Sequence, residues 1–263
     1  MSVPVFPRFL STFLAIALSV ASAVGVNSAD LETIARRGKL IVGVKNNLPP
    51  LGFTDASGNL QGFEIDIAKR LAGDILGSVE AIDLRPLTNR ERLQAVIEDR
   101  VDLTIARVTI TPARSRIVDF SPFYYLDSTG FVVLDPGIQG IEALKTARIA
   151  VLEGSSTIAV IRSELPGARM VGVKSYQEGF DLLEKGEIDA FSADNSVLSG
   201  WTREHPRYRQ LPVELQLTAL GVVMPRGLQY QDLRERVNRE IERLRSSGWL
   251  EERAIYWGLK VDR

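Results

Sequence analysis

From residue 39 onward the chain alternates short β-branched runs with amphipathic ones, and this alternation limits the fold more than any other feature. Lys39-Leu40-Ile41-Val42-Gly43-Val44 reads as a strand, and Phe63 to Leu76 places Ala68, Leu71, Ala72, Ile75 and Leu76 on one helical face. Thr88-Asn89-Arg90-Glu91 has the form of a capping box, in which the Thr hydroxyl and the Glu carboxylate satisfy free amides, and it opens a helix through Leu93, Val96 and Ile97. Val101 to Ala106 returns as a strand. Thr111-Pro112 then begins a helix with Thr as its cap and Pro at its first position, so Arg114 falls in the first turn. Strands that alternate with helices pair in parallel, and such sheets bind ligands beyond the carboxyl ends of their strands.

The second half repeats the plan. Arg148 to Leu152 is a strand, Gly154-Ser155-Ser156-Thr157 a turn into a helix, and Ser175-Tyr176-Gln177-Glu178 a second capping box ahead of Phe180 to Glu184. Glu187 to Phe191 reads as the next strand. The segments Val96 to Ala106 and Leu182 to Ala193 share an order of apolar pair, acidic turn, Asp and strand. Two similar α/β units with a cleft between them account for this. Near the end, Leu233, Val237, Ile241 and Leu244 mark an amphipathic helix whose Arg and Glu residues form a solvated face.

Composition narrows the chemistry. The chain of 263 residues has no cysteine and one histidine, His205, which excludes thiol catalysis and argues against a zinc site. Lys plus Arg number 32 against 33 Asp plus Glu, so no net field steers the chain toward nucleic acid. P-loop, nucleophile-elbow and zincin motifs are missing, and no cofactor or metal is expected. Arg8, the apolar run Phe9 to Val20 and Ala21-Ser22-Ala23 have the order of a secretory leader, with cleavage expected after Ala23. Small and apolar residues continue to Val26, so retention as an anchor is the alternative. A chain without cysteine has no site for a lipoprotein tether, and the expected location is the periplasm.

Four segments carry a family resemblance: Gly62-Phe63-Glu64-Ile65-Asp66, Thr109-Ile110-Thr111-Pro112-Ala113-Arg114, Asp119 to Tyr125, and Asp189-Ala190-Phe191-Ser192-Ala193-Asp194. In these, and in their order over about residues 31 to 259, the chain resembles the family 3 periplasmic solute-binding proteins, receptors of amino-acid ABC importers. The pattern is most similar to members that bind glutamate and aspartate. The resemblance implies a type II periplasmic-binding-protein fold: an α/β chain in two lobes, each a mainly parallel sheet flanked by helices, with the ligand cleft between. It also implies that the chain crosses between lobes twice, near Asp127 to Gly130 and Leu217 to Gly221. Lobe 1 is then residues 31–127 and 219–263, and lobe 2 is residues 128–218. The implied partners are a small amino acid and a membrane permease, with the receptor a monomer that closes about a hinge.

Such a site must hold a carboxylate and an ammonium a few ångströms apart. Arg114 offers a bidentate fork and matches the family's arginine for the ligand's α-carboxylate. Asp194, at a strand end, matches the acid that accepts from the ammonium; it also sits where it can cap the helix Asn195 to Glu204. Thr109 can accept from the ammonium or donate to the carboxylate. The amide of Ser156, at a helix start, can bind the same carboxylate as Arg114. For the ligand's side chain, Arg90 and Lys45 match cationic positions of the acidic-ligand binders, although Arg90 also suits a solvated turn. Arg107 departs from the family, many of whose members have a small or apolar residue there; it either points into the cleft and favours an acidic ligand or pairs with Glu153. The rivals are a receptor for glutamine or another polar amino acid, and a cyclohexadienyl-dehydratase-like enzyme with Glu153 as general acid.

Overall fold

The computed structural model describes Met1 and residues 30–261, so the expected leader lies outside the described residues apart from Met1. Its strands are β1 (Leu40–Val44), β2 (Asn47–Leu48), β3 (Gly52–Thr54), β4 (Leu60–Gln61), β5 (Ile82–Pro86), β6 (Leu103–Ile105), β7 (Asp119–Val133), β8 (Arg148–Leu152), β9 (Arg169–Val173), β10 (Ala190–Asp194), β11 (Arg209–Gln210) and β12 (Leu215–Met224). The helices are α1 (Leu31–Arg37), α2 (Phe63–Leu76), α3 (Glu91–Ile97), α4 (Thr157–Glu164), α5 (Tyr176–Glu184), α6 (Asn195–Glu204), α7 (Gln231–Ser246) and α8 (Trp249–Tyr256). Among the described residues no helix is long and apolar enough to cross a membrane.

One sheet runs in the order β5-β1-β6-β12-β7-β10-β8-β9, with β11 beside β7, and β2-β3-β4 form a small second sheet. Its two wings are parallel: β1 pairs with β5 and β6, and β8 with β9 and β10. Its middle is antiparallel, where the 15-residue β7 lies along the 10-residue β12. These two strands serve both wings and join them into two lobes.

Each wing buries both faces of its sheet, as parallel strands require. In the first lobe Val42, Val44, Leu103 and Ile105 pack with Phe63, Ile67 and Leu71 of α2 and Leu233, Val237, Ile241 and Leu244 of α7. The opposite face holds Ile41, Val96, Val118 and Val223. In the second lobe Phe131, Ile149 and Val151 meet Val160 and Ile161 of α4, while Ala150, Leu152 and Phe191 meet Phe180 of α5 and Leu198 of α6.

Several expectations shift in ways the contacts explain. Helix α2 has the expected bounds because Gly62 (φ 131°) and Gly77 (φ 77°) take conformations that end a helix and that other residues adopt only with strain. The strand expected at Glu187 to Phe191 is β10, three residues later: Asp189 instead accepts from the Arg148 backbone N–H (2.7 Å) and guanidinium (2.6 Å) in the preceding turn. The helix expected after Thr111 is a single 3₁₀ turn, Arg114–Arg116, with Thr111 Oγ1 accepting from the Arg114 N–H at 3.3 Å. Only half of the first capping box forms, since Glu91 accepts from both the N–H (2.8 Å) and the hydroxyl (2.6 Å) of Thr88. At α5, Ser175 Oγ accepts from the Glu178 N–H at 3.1 Å, and Glu178 reaches back one residue further than expected, to the Lys174 N–H (2.7 Å). Ile97, expected on an apolar face, is exposed, and Glu240, expected on a solvated one, is buried beside Arg243 and Arg70.

Candidate ligand-binding cleft

The carboxyl ends of β1, β6, β8 and β10 meet where the lobes face each other. The chain leaves β6 through Arg107, whose φ of 51° is uncommon for a residue with a β-carbon. Two buried side chains hold this turn. Glu64 Oε1 accepts from the Arg107 N–H at 2.6 Å and from the Tyr124 hydroxyl at 2.5 Å. Arg92 Nη1 donates to the carbonyls of Ala106 (2.9 Å) and Arg107 (2.5 Å). Burial pushes the Glu64 carboxyl above the usual carboxylate range and pulls Arg92 below the usual guanidinium range. Neither residue stands out in the sequence as a site element. Their signal was a charged residue on an otherwise apolar helical face: Glu64 leads Ala68 and Leu71, and Arg92 leads Ala95 and Val96.

Fixed in this way, the turn sends its side chains across the cleft. The Arg107 guanidinium forms an ion pair with Asp194 at the end of β10, both side chains being almost fully buried. Thr109 Oγ1 lies 3.0 Å from Ser156 Oγ, ahead of α4. Arg114 donates through Nη1 to the Thr109 carbonyl (2.9 Å) and through Nη2 to the Gly154 carbonyl (3.3 Å). Burial, and then the nearby Arg107, lower the Arg114 pKa, so an anion beside it relieves both effects. Asp194 occupies the cap position of α6, but its side chain makes no capping bond, and apart from the ion pair neither of its carboxylate oxygens has a hydrogen bond among the described residues.

Lys45, just past β1, is buried with Nζ donating to the Leu87 carbonyl at 2.9 Å. Burial, reinforced by Arg92 and Arg107, pulls its ammonium down to about 8. Glu153 pairs with Arg90, not with Arg107 as the alternative had it, and the Arg90 side chain is 73 % exposed. Of the seven expected site residues, Arg107, Thr109, Arg114, Ser156 and Asp194 come together across the lobes and Lys45 lies close to Arg107. Arg90 stands at the rim. A cavity of about 290 Å³ on one flank is lined by Leu48 and Pro49 from one lobe and Tyr176, Phe180 and Trp201 from the other.

The lobes therefore meet through facing charges and hydroxyls, an arrangement suited to a small polar solute that bridges them. Residues 40–260 match the family described as bacterial extracellular solute-binding proteins, family 3. The glutamine-binding protein of Geobacillus stearothermophilus is 36% identical over 209 residues, covering 78% of this chain and 79% of its own. Among solved structures, the solute receptor for L-cysteine of Neisseria gonorrhoeae superposes with a TM-score of 0.80 at 29% identity, covering 88% of this chain and 94% of that one. The ancestral amino-acid-binding protein AncCDT-1, described as a precursor of cyclohexadienyl dehydratase, does so with a TM-score of 0.76 at 26% identity, covering 87% and 99%. The fold is the type II periplasmic-binding-protein fold, and the chain belongs to the bacterial extracellular solute-binding proteins of family 3.

Proposed function

We propose that the chain is a periplasmic receptor that binds a polar, acidic L-amino acid of the glutamate or aspartate type and delivers it to the permease of an ABC importer. The lobes are residues 31–127 with 219–263, and residues 128–218, hinged where Thr218 and Leu217 pair with Asp127 and Ser128. The receptor works as a monomer, and its leader is removed on export. One observation carries this reading: Arg107, Thr109 and Arg114 of one lobe converge with Asp194, Ser156 and Gly154 of the other. Arg114 takes the α-carboxylate together with the Ser156 amide and the Thr109 hydroxyl. Asp194, paired with Arg107 and otherwise without a hydrogen bond among the described residues, takes the ammonium.

The acidic preference follows from charge. Lys45, Arg92, Arg107 and the partly buried Arg114 outnumber the buried acids Glu64, Asp127 and Asp194 around the cleft, and a ligand with a net negative charge offsets the excess. The relatives' named solutes include glutamine and cysteine, so the charge excess is what separates the acidic reading from a neutral one. For an enzyme that uses Glu153 as its general acid, that carboxyl would have to be free in the cleft, whereas it is paired with Arg90. Thermal unfolding with each L-amino acid tests the proposal, since a solute that binds only the native state raises Tm. Glutamate or aspartate should give the largest shift. A largest shift with glutamine would discard the acidic preference, and turnover of prephenate or arogenate would replace the receptor with an enzyme.

A further inference from the structure

Arg107 is 3 % exposed at the side chain, and its ion-pair partner among the described residues is Asp194, 0 % exposed on the opposite lobe. Removing one member of a buried pair leaves the other uncompensated, which is more costly than never having formed the pair. The neighbouring acids Glu64 and Asp127 are poor substitutes. Glu64 spends Oε1 on the Arg107 N–H and the Tyr124 hydroxyl and leaves Oε2 without a hydrogen bond among the described residues, and burial favours its neutral form. Asp127 accepts from the N–H groups of Ser128 (2.9 Å) and Ser196 (3.2 Å) and from the Ser196 hydroxyl, and burial acts on it in the same direction. The nearby cations Lys45 and Arg92 only add repulsion. A ligand ammonium on Asp194 therefore shares the single carboxylate charge that balances the Arg107 guanidinium, and sets two cations against it.

We infer that Arg107 sets ligand charge by an exchange of partners: as the ligand's ammonium takes Asp194, the ligand's own side-chain carboxylate takes the Arg107 guanidinium. This rests on the amino-acid reading above and names the residue that decides its specificity. An acidic amino acid completes the exchange. Its amide counterpart has the same size and no charge, and presents an NH₂ group to a guanidinium that only donates. The backbone agrees, because a turn at φ 51° is one that glycine adopts freely, and here a long cationic side chain occupies it with support from Glu64 and Arg92.

Calorimetric titration of the full chain with L-glutamate, L-glutamine and glutarate tests the exchange, in the wild type, in Arg107→Gly and in Arg107→Asn, a second residue that tolerates positive φ. In the wild type, glutamate should bind about 100-fold more tightly than glutamine, and more tightly than glutarate, which has no ammonium to release Arg107. In both variants glutamine should gain until the two amino acids differ by about threefold or less. Three results would overturn the exchange while leaving the Arg114 clamp in place. These are a glutamate to glutamine ratio unchanged in both variants, wild type that prefers glutarate over glutamate, and amino-acid binding seen in the variants alone. Failure of all three solutes with all three proteins would remove the amino-acid reading itself, and the exchange with it.

Discussion

On the proposed reading Arg114 takes the ligand's carboxylate, and its fork donates to the carbonyls of Thr109 and Gly154, one from each lobe. Arg114→Ala should therefore weaken binding of the best solute about 100-fold or more in a calorimetric titration, with a far-UV spectrum like that of the wild type. Lys45 gives a pH test. Its pKa near 8 in the folded chain lies below the ordinary 10.5, so between those values the unfolded chain holds more protons and stability rises with pH. Lys45→Met should flatten that rise and add about 1–3 kcal/mol at pH 7, measured by denaturant unfolding across the range. An acidic solute favours protonated Lys45, so its affinity should fall as pH passes about 8, with Arg92, Arg107, Glu64 and Glu91 as the other charges around the ammonium. At this scale the sequence indicated which residues gather at the cleft where a residue type and a motif coincide, as at Arg114, Thr109 and Asp194. It was silent at Glu64 and Arg92, because whether a charge on an apolar face turns inward depends on carbonyls and hydroxyls that only the folded chain brings near.

The elements place these groups through their ends. Helix α5 begins at a working Ser175 cap, and Ser175→Ala should cost about 1 kcal/mol in chemical unfolding. Helix α6 approaches the other lobe so closely that a β-carbon on Gly200 would lie 2.6 Å from the Pro49 carbonyl oxygen. Gly200→Leu should wedge the lobes apart, seen as a larger radius of gyration by small-angle scattering and an affinity weaker by about tenfold or more, with Arg107 and Arg114 untouched. Elements bounded by backbone chemistry, such as α2 between two glycines at positive φ, were legible to the residue. Those bounded by distant partners were not: β10 starts late because Asp189 is held by Arg148, 41 residues away, and the turn after Thr111 stays 3₁₀ as the chain enters β7.

For the whole molecule, the sequence showed two repeated α/β units and, through its motifs, the family. It did not show the two long antiparallel strands between the wings. Ser121, Pro122 and the charges at Asp119 and Asp127 interrupt the alternation of β7, and its pairing with β12 joins residues about ninety apart. That pairing lets one sheet serve two cores, which is what the proposed hinge closure requires. On the proposed reading, closure traps one acidic amino acid between Arg114 and Asp194. Titration of L-glutamate and L-aspartate into the full chain, repeated with Arg114→Ala, tests this most directly. A single site of micromolar affinity or better for at least one of the two solutes, lost in the variant while its fold is retained, is the result the account predicts. Binding that survives in Arg114→Ala with unchanged affinity, or no binding of either solute to the wild type, would contradict it.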